Sequence, residues 1–250
     1  MLTENKFSKY LLYAIGEIAL VVIGILIALQ INNLNEEKQE RKKEKVLLSQ
    51  LQLEFTSNLE QLDDKIEMRN NMILASLKLL EYVNHPDKRN IDSIYTKIGF
   101  TIVAPTFDPI VNDILSSGRV QLLRNNELKS KLSSWTSEVV QVTEEEAKWA
   151  QYEKRHYSTL LEYGSMRNIL DKFWKNNVTE SYLLDKGKKS KFDVGNSNKE
   201  IDLNHLLDHS NFEDHMAFCA TLAKIANSQS DILRSRIIDI LNLIELELNK

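Results

Sequence analysis

The sequence predicts an all-α protein in which an N-terminal transmembrane helix continues into an elongated antiparallel helical bundle. Three observations carry this expectation. Residues 11–31 form an apolar run with a single formal charge, Glu17. Only seven glycines and three prolines punctuate 250 residues, too few for an architecture of many short strands and turns. The chain beyond the run is threaded by apolar positions at steps of three and four, the period of helices that bury one face.

The apolar run comes first. At ~1.5 Å per helical residue it reaches roughly 30 Å, the thickness of a bilayer's hydrocarbon core. Lys6 and Lys9 would suit the basic flank of a signal peptide, but the run exceeds the ~7–15 residues of such a segment. No small-x-small cleavage site follows Ala28, so a retained anchor is expected. Glu17, Gly24, Ala28 and Ile31 fall on one helical face. A carboxylate at this depth is costly in lipid unless it is protonated, reaches the interface or faces another helix. Gly24-x-x-x-Ala28 is a pair of small residues that lets two backbones approach. Glu17, Gly24 and Ala28 are therefore the expected residues of membrane-helix association.

The residues of this run carry a resemblance. Tyr13-Ala14-Ile15-Gly16-Glu17-Ile18, followed by residues 21–33, VVIGILIALQINN, resembles the opening of an uncharacterised family of Bacteroidota single-pass membrane proteins. That family is a domain of unknown function. Ser116-Ser117-Gly118-Arg119, with Asn125, Asn126, Leu128, Leu132 and Trp135 after it, resembles the family's midchain turn and the helix that follows. Leu34 stands where family members often carry tryptophan, and their longer basic N-terminal extension is missing here. The resemblance implies a membrane location and a helical domain, and brings no known activity.

The remaining organisation reads as a short N-terminal segment over 1–10, the anchor over 11–31, a charged helical stalk over 32–45, and a bundle domain over 46–250. Residues 36–45 hold five basic and four acidic side chains and nothing apolar, the composition of a solvated helix. Leu48, Leu51, Phe55, Leu59, Leu62 and Ile66, then Ile73, Leu77 and Leu80, mark one stripe interrupted at Arg69. Pro86 ends that helix, because the residue before a proline is pushed out of the helical region. A short helix over 91–98 is expected, and Asp108-Pro109 is a good start for another that Gly118 would close. Asn125 or Asn126 caps a helix that runs to Tyr163. Residues 164–200 are the least regular, with Phe173-Trp174 free to dock on the bundle and the basic run 186–191 as a loop. The last stripe is Phe212, Met216, Cys219, Ala223, Ala226, Ser230, Leu233, Ile237, Ile240 and Ile244, capped by Asn211. Such a helix is nearly forty residues, about 60 Å, long.

Chemistry is harder to find. The net charge of −4 gives no basic face for nucleic acid. Cys219 is the only cysteine, so no disulfide can form within the chain. His205 and His209 stand four residues apart, and His215 and Cys219 repeat that spacing. Four such donors could bind zinc if a turn folded them together, but Cys219 belongs to the apolar stripe, so no metal is assigned. Glu144-Glu145-Glu146 reads as a solvated helix face. With no nucleophile elbow, dinucleotide fingerprint or phosphate loop, no catalytic residue and no cofactor are expected.

The functional expectation is a membrane-anchored interaction or sensing module. It would work as a homo-oligomer or with a protein partner, through the anchor and the bundle. The alternatives are an accessory subunit of a membrane complex and a metal-dependent enzyme built on the histidines. Its expected place is the bacterial inner membrane. Lys and Arg counts put the residues after the anchor inside, while the family's basic N-terminal extension puts the domain outside. The second signal is followed here, and the domain is expected to be periplasmic.

Overall fold

A single helix, α1 (Glu4–Asn84), carries the apolar run, the stalk and the first stripe without a break. It has 81 residues and is about 120 Å long. The computed structural model describes residues 4–110, 118–177, 193–199 and 201–250. Five further α-helices follow among the described residues: α2 (Ile91–Thr101), α3 (Asn126–Tyr163), α4 (Met166–Asn177), α5 (Leu203–Leu207) and α6 (Ser210–Leu248). There is no strand among the described residues, and the fold is all-α. Among the described residues one helix, α1, is long and apolar enough to cross a membrane, and none of that apolar window is buried against the rest of the chain.

Three long helices make the bundle. α6 lies between α1 and α3 and runs opposite to both. Arg41 donates to the carbonyl of Glu247 at one end, and Arg69 donates to Asn227 further along α1, so α1 and α6 are antiparallel. Lys131 meets Asp239, and Thr159 meets His215, so α3 and α6 are antiparallel too. All ten residues of the last stripe are buried. Around them Leu48, Leu51, Phe55, Leu62, Leu132 and Trp135 form the largest core cluster, with Phe55 and Trp135 edge-to-face at 4.9 Å.

The bundle's near end, where α1 enters from the apolar run, is fastened by polar groups. Glu44 is buried and accepts from Arg41 and, at 2.6 Å, from the backbone N–H of Arg124. Glu247, also buried, accepts from Asn125 at 2.8 Å, and Lys45 reaches the carbonyl of Leu248. The last turns of the stalk are thus part of the bundle rather than wholly solvated. The apolar pattern missed this because the interface there is built from charges. Asn125 caps α3 as expected, by accepting from the N–H of Leu128.

Beyond Arg69 the buried side of α1 differs from the expected stripe. Met72, Ala75, Leu79 and Tyr82 are buried, Ile73 and Leu80 lie at the margin, and Leu77 is exposed. The helix does not break at Arg69, which is itself a core residue at 2% exposure. With Arg69 and Ser76 counted among the inward positions, the stripe continues one step to the side.

Residues 109 and 110 are not helical, contrary to the expected start at Asp108-Pro109. Instead the backbone of Ile110 exchanges two hydrogen bonds with the buried side chain of Asn58, and Phe107 plugs the core. Both anchors are long-range pairs that local turn chemistry cannot reveal. Residues 111–117 lie outside the described part, and with them Ser116, Ser117 and the helix expected to end at Gly118. Gly118 has φ +73°, a conformation that favours glycine, and leads into the 3-10 turn Arg119–Leu122.

The region expected to be least regular contains α4. Its Phe173 docks on Phe100 of α2 with centroids 5.6 Å apart, so the expected docking aromatic is in place. The fit needs a glycine, since a Cβ on Gly99 would lie 2.8 Å from the Cβ of Phe173. The expected basic loop over 186–191 lies outside the described residues. At the far end Arg89, in the turn after α1, donates to Asn204 and Asp208 and so holds α5 in place.

Candidate functional site

Two further polar constellations interrupt the apolar core among the described residues. The first lies midway along the bundle and joins all three long helices. Arg69 of α1 forms an ion pair with Glu146 of α3 and donates to Asn227 at 2.6 Å and Ser230 at 2.8 Å on α6. Asn227 donates in turn to Asn70 at 2.9 Å, and the N–H of Phe107 donates to Glu146 at 2.7 Å. Burial pushes the Glu146 carboxyl up, against the pull of Arg69 and the Phe107 N–H in the other direction. Glu146 therefore corrects the reading of residues 144–146 as a solvated face. Glu144 and Glu145 do keep contact with solvent, but the third glutamate turns inward to a cation 77 residues away.

The second constellation lies towards the far end, between α3 and the start of α6. An open groove of about 450 Å³ is lined by Tyr152, Arg155, Thr159, Tyr163, His209 and His215, among others. Its aromatic walls are paired: Tyr163 lies on His209 at 4.5 Å, and Tyr152 meets His215 edge-on at 5.4 Å. Arg155, Glu162 and Asp214 bring charges of both signs to its rim. Behind it His156 is completely buried, 5.2 Å from the ring of His215. Thr101 donates its hydroxyl to the carbonyl of Ile98, so its oxygen is left to accept from His156 Nε2, 3.0 Å away. His215 Nε2 makes the matching contact with Thr159 at 3.2 Å. The Nδ1 atoms of both rings are buried without a hydrogen-bond partner among the described residues.

Burial drives His156 down to about 3, with His215 contributing in the same direction, so the ring is neutral at ordinary pH. His215 is also lowered, chiefly by burial, with Asp214 opposing and His209 and Arg155 assisting. A groove of this size offers rings for stacking and groups of both charges to a polar group that enters it.

Of the four side chains spaced like metal donors, His205, His209, His215 and Cys219, the structure brings His209 and His215 to this groove and separates the others. His205 lies exposed on α5. His209 is not on a helix with it: it caps α6, accepting through Nδ1 from the N–H of Asn211 at 3.2 Å, in the role expected of Asn211. Cys219 is buried in the core, its thiol pushed up to about 12 by burial. No group of three or more metal-competent side chains occurs among the described residues. Glu17, Gly24 and Ala28 lie on the exposed apolar part of α1. The sequence reading passed over Tyr152, His156, Thr159 and Tyr163. Their steps of four, three and four on one face of α3 were the available signal.

A model of the family of unknown function DUF6090 matches residues 17–141, half of the chain. The chain belongs to the DUF6090 family. The matched part begins at Glu17, within the apolar run, and takes in the rest of α1, all of α2 and the Arg69 side of the bundle. The groove residues of α3 and α6 lie beyond it. No curated protein and no solved structure matches this DUF6090 chain.

Proposed function

We propose that this DUF6090 chain is a single-pass membrane module that holds a helical bundle at a bacterial inner membrane and engages a partner there. One observation carries the reading. The wholly exposed apolar part of α1 and the innermost helix positions of the bundle belong to one uninterrupted helix. An exposed apolar surface of that length costs roughly 25 cal/mol per Å² in water and is relieved in lipid. A continuous helix also couples anchor and bundle mechanically, because it has no hinge at which one could turn independently of the other. Glu17, Gly24 and Ala28 are the residues through which the anchor meets a second helix, and the far groove is where the bundle meets a ligand or partner side chain. In this reading the chain works by binding and not by catalysis.

Fractionation of cells expressing the full chain tests the anchor. The chain is expected in the membrane fraction and to resist carbonate extraction, and replacing Val21, Ile23, Ile25 and Ile27 by serine is expected to release it. Recovery of the unaltered chain in the soluble fraction would overturn the proposal.

A further inference from the structure

The helix α6 carries a second apolar stripe that the bundle leaves uncovered. Phe218, Ile225, Ile232 and Leu246 recur at multiples of seven residues and are 47%, 41%, 58% and 62% exposed. The series spans about 42 Å of helix. Its remaining position, Asp239, is engaged within the chain by Lys131 at 3.1 Å. Phe218 leans on Tyr152 at one edge and leaves its other side open. Thr221, Ser228 and Ser235, three or four residues from the stripe on the same face, are exposed and small, and the longer exposed side chains of Lys224, Asp231 and Arg236 flank them.

The anchor decides how another copy would meet this stripe. α6 runs back towards the near end of the bundle, and every chain inserted through the same α1 presents α6 at the same height and in the same direction. Two copies in one bilayer can bring these stripes together only in parallel. A parallel pair with apolar residues every seven positions sets Asp231 of one copy beside Arg236 of the other, the flanking charge pair that supports parallel coiled coils. Both residues are exposed, and within its own chain Arg236 has a 3.8 Å contact with Glu138. We infer that α6 is a homodimerisation surface, on which two anchored copies pair in parallel through Phe218, Ile225, Ile232 and Leu246. This rests on the membrane anchoring proposed above.

Disulfide trapping of the full chain in native membranes tests it. The native Cys219 is buried in the core, so an introduced thiol reports alone. Ser228→Cys is expected to give a disulfide-linked dimer on mild oxidation, whereas Glu60→Cys, on the outer side of α1, is expected to stay monomeric. Adding Ile225→Lys to Ser228→Cys should reduce the dimer about tenfold, the effect of ~1.4 kcal/mol on an association. Arg236→Asp should weaken trapping, and the exchange Asp231→Arg with Arg236→Asp should restore it. Absence of a dimer from chains that sediment with membranes overturns the pairing and leaves the anchor standing. Trapping only between Phe218→Cys and Leu246→Cys copies overturns the parallel arrangement. A chain found in the soluble fraction overturns the anchor, and the pairing with it.

Discussion

Arg69 shows how a residue that breaks a pattern can be the one that joins three helices. Its guanidinium is 2% exposed and meets partners on α3 and α6 that lie 77 to 161 residues away. A lone charge in an apolar stripe is legible as an interruption, but its partner is not, because Glu146 looks like its two neighbours. Arg69→Met is expected to cost about 3–5 kcal/mol, since it leaves the Glu146 carboxylate buried without its ion-pair partner and with the Phe107 N–H as its remaining hydrogen bond. Arg69→Met combined with Glu146→Leu should recover most of that loss, because no buried charge then remains. Urea unfolding of the detergent-solubilised chain, followed by circular dichroism, checks both. A double variant as unstable as the single one would show that the network contributes more than the cancellation of its charges. The buried histidines give a second expectation at this scale. The folded value of His156, about 3, lies below its ordinary 6.5. Between those limits the unfolded chain binds a proton that the folded chain refuses. Stability is therefore complete above pH 6.5 and is lost as pH falls towards 3, at up to about 1.4 kcal/mol per pH unit for one histidine. His215 shifts in the same direction and adds to the loss. Unfolding midpoints measured across pH 4–8 should slope accordingly, and His156→Gln should flatten the slope even if it lowers the plateau.

At the scale of the element, α6 and α1 differ in what their sequences disclose. The ten positions of α6 from Phe212 to Ile244 alternate four and three throughout, and each of them is buried, because both neighbouring helices press on the same side of it. The stripe of α1 was legible up to Ile66 and then misplaced. Following apolar residues alone past Arg69 leads to Ile73, Leu77 and Leu80, whereas the helix keeps its heading through Arg69, Met72, Ser76 and Leu79. Polar residues hold core positions there, and a hydrophobic pattern cannot register them. The two headings make opposite forecasts. Leu79→Ala is expected to cost about 2–5 kcal/mol as a buried truncation, and Leu77→Ala, on the exposed side, to stay within about 0.5 kcal/mol. Equal losses in urea melts of the two variants would contradict the burial assigned to this part of α1. The far groove was half legible for a related reason. His209 and His215 stood out as spaced histidines, but their partners come from α3, brought opposite by an antiparallel packing that spacing within α6 does not specify.

For the molecule as a whole, the open geometric question is which side of the membrane the bundle occupies. Because α1 is continuous, the N-terminal residues and the bundle must lie on opposite faces of whatever bilayer the apolar run crosses. Lys and Arg near the run favour the bundle side as the inner one, with Lys38, Arg41, Lys42, Lys43 and Lys45 against Lys6 and Lys9. The structure qualifies that count. Arg41 and Lys45 are taken up by Glu44 and by the carbonyls at the end of α6, so part of this cluster serves the domain's own closure. Charges that a fold uses for itself have a reason to be there that is independent of orientation, and large domains can cross a membrane largely regardless of charge. The bundle is accordingly expected in the periplasm. The side chain of Lys250 is 65% exposed, so a reporter fused after it need not disturb the core. Alkaline phosphatase placed there is expected to be active, and green fluorescent protein exported unfolded to the same position is expected to be dark. A fluorescent, phosphatase-negative chain would place the bundle in the cytoplasm and return the Lys38–Lys45 cluster to its plain role as an inside signal.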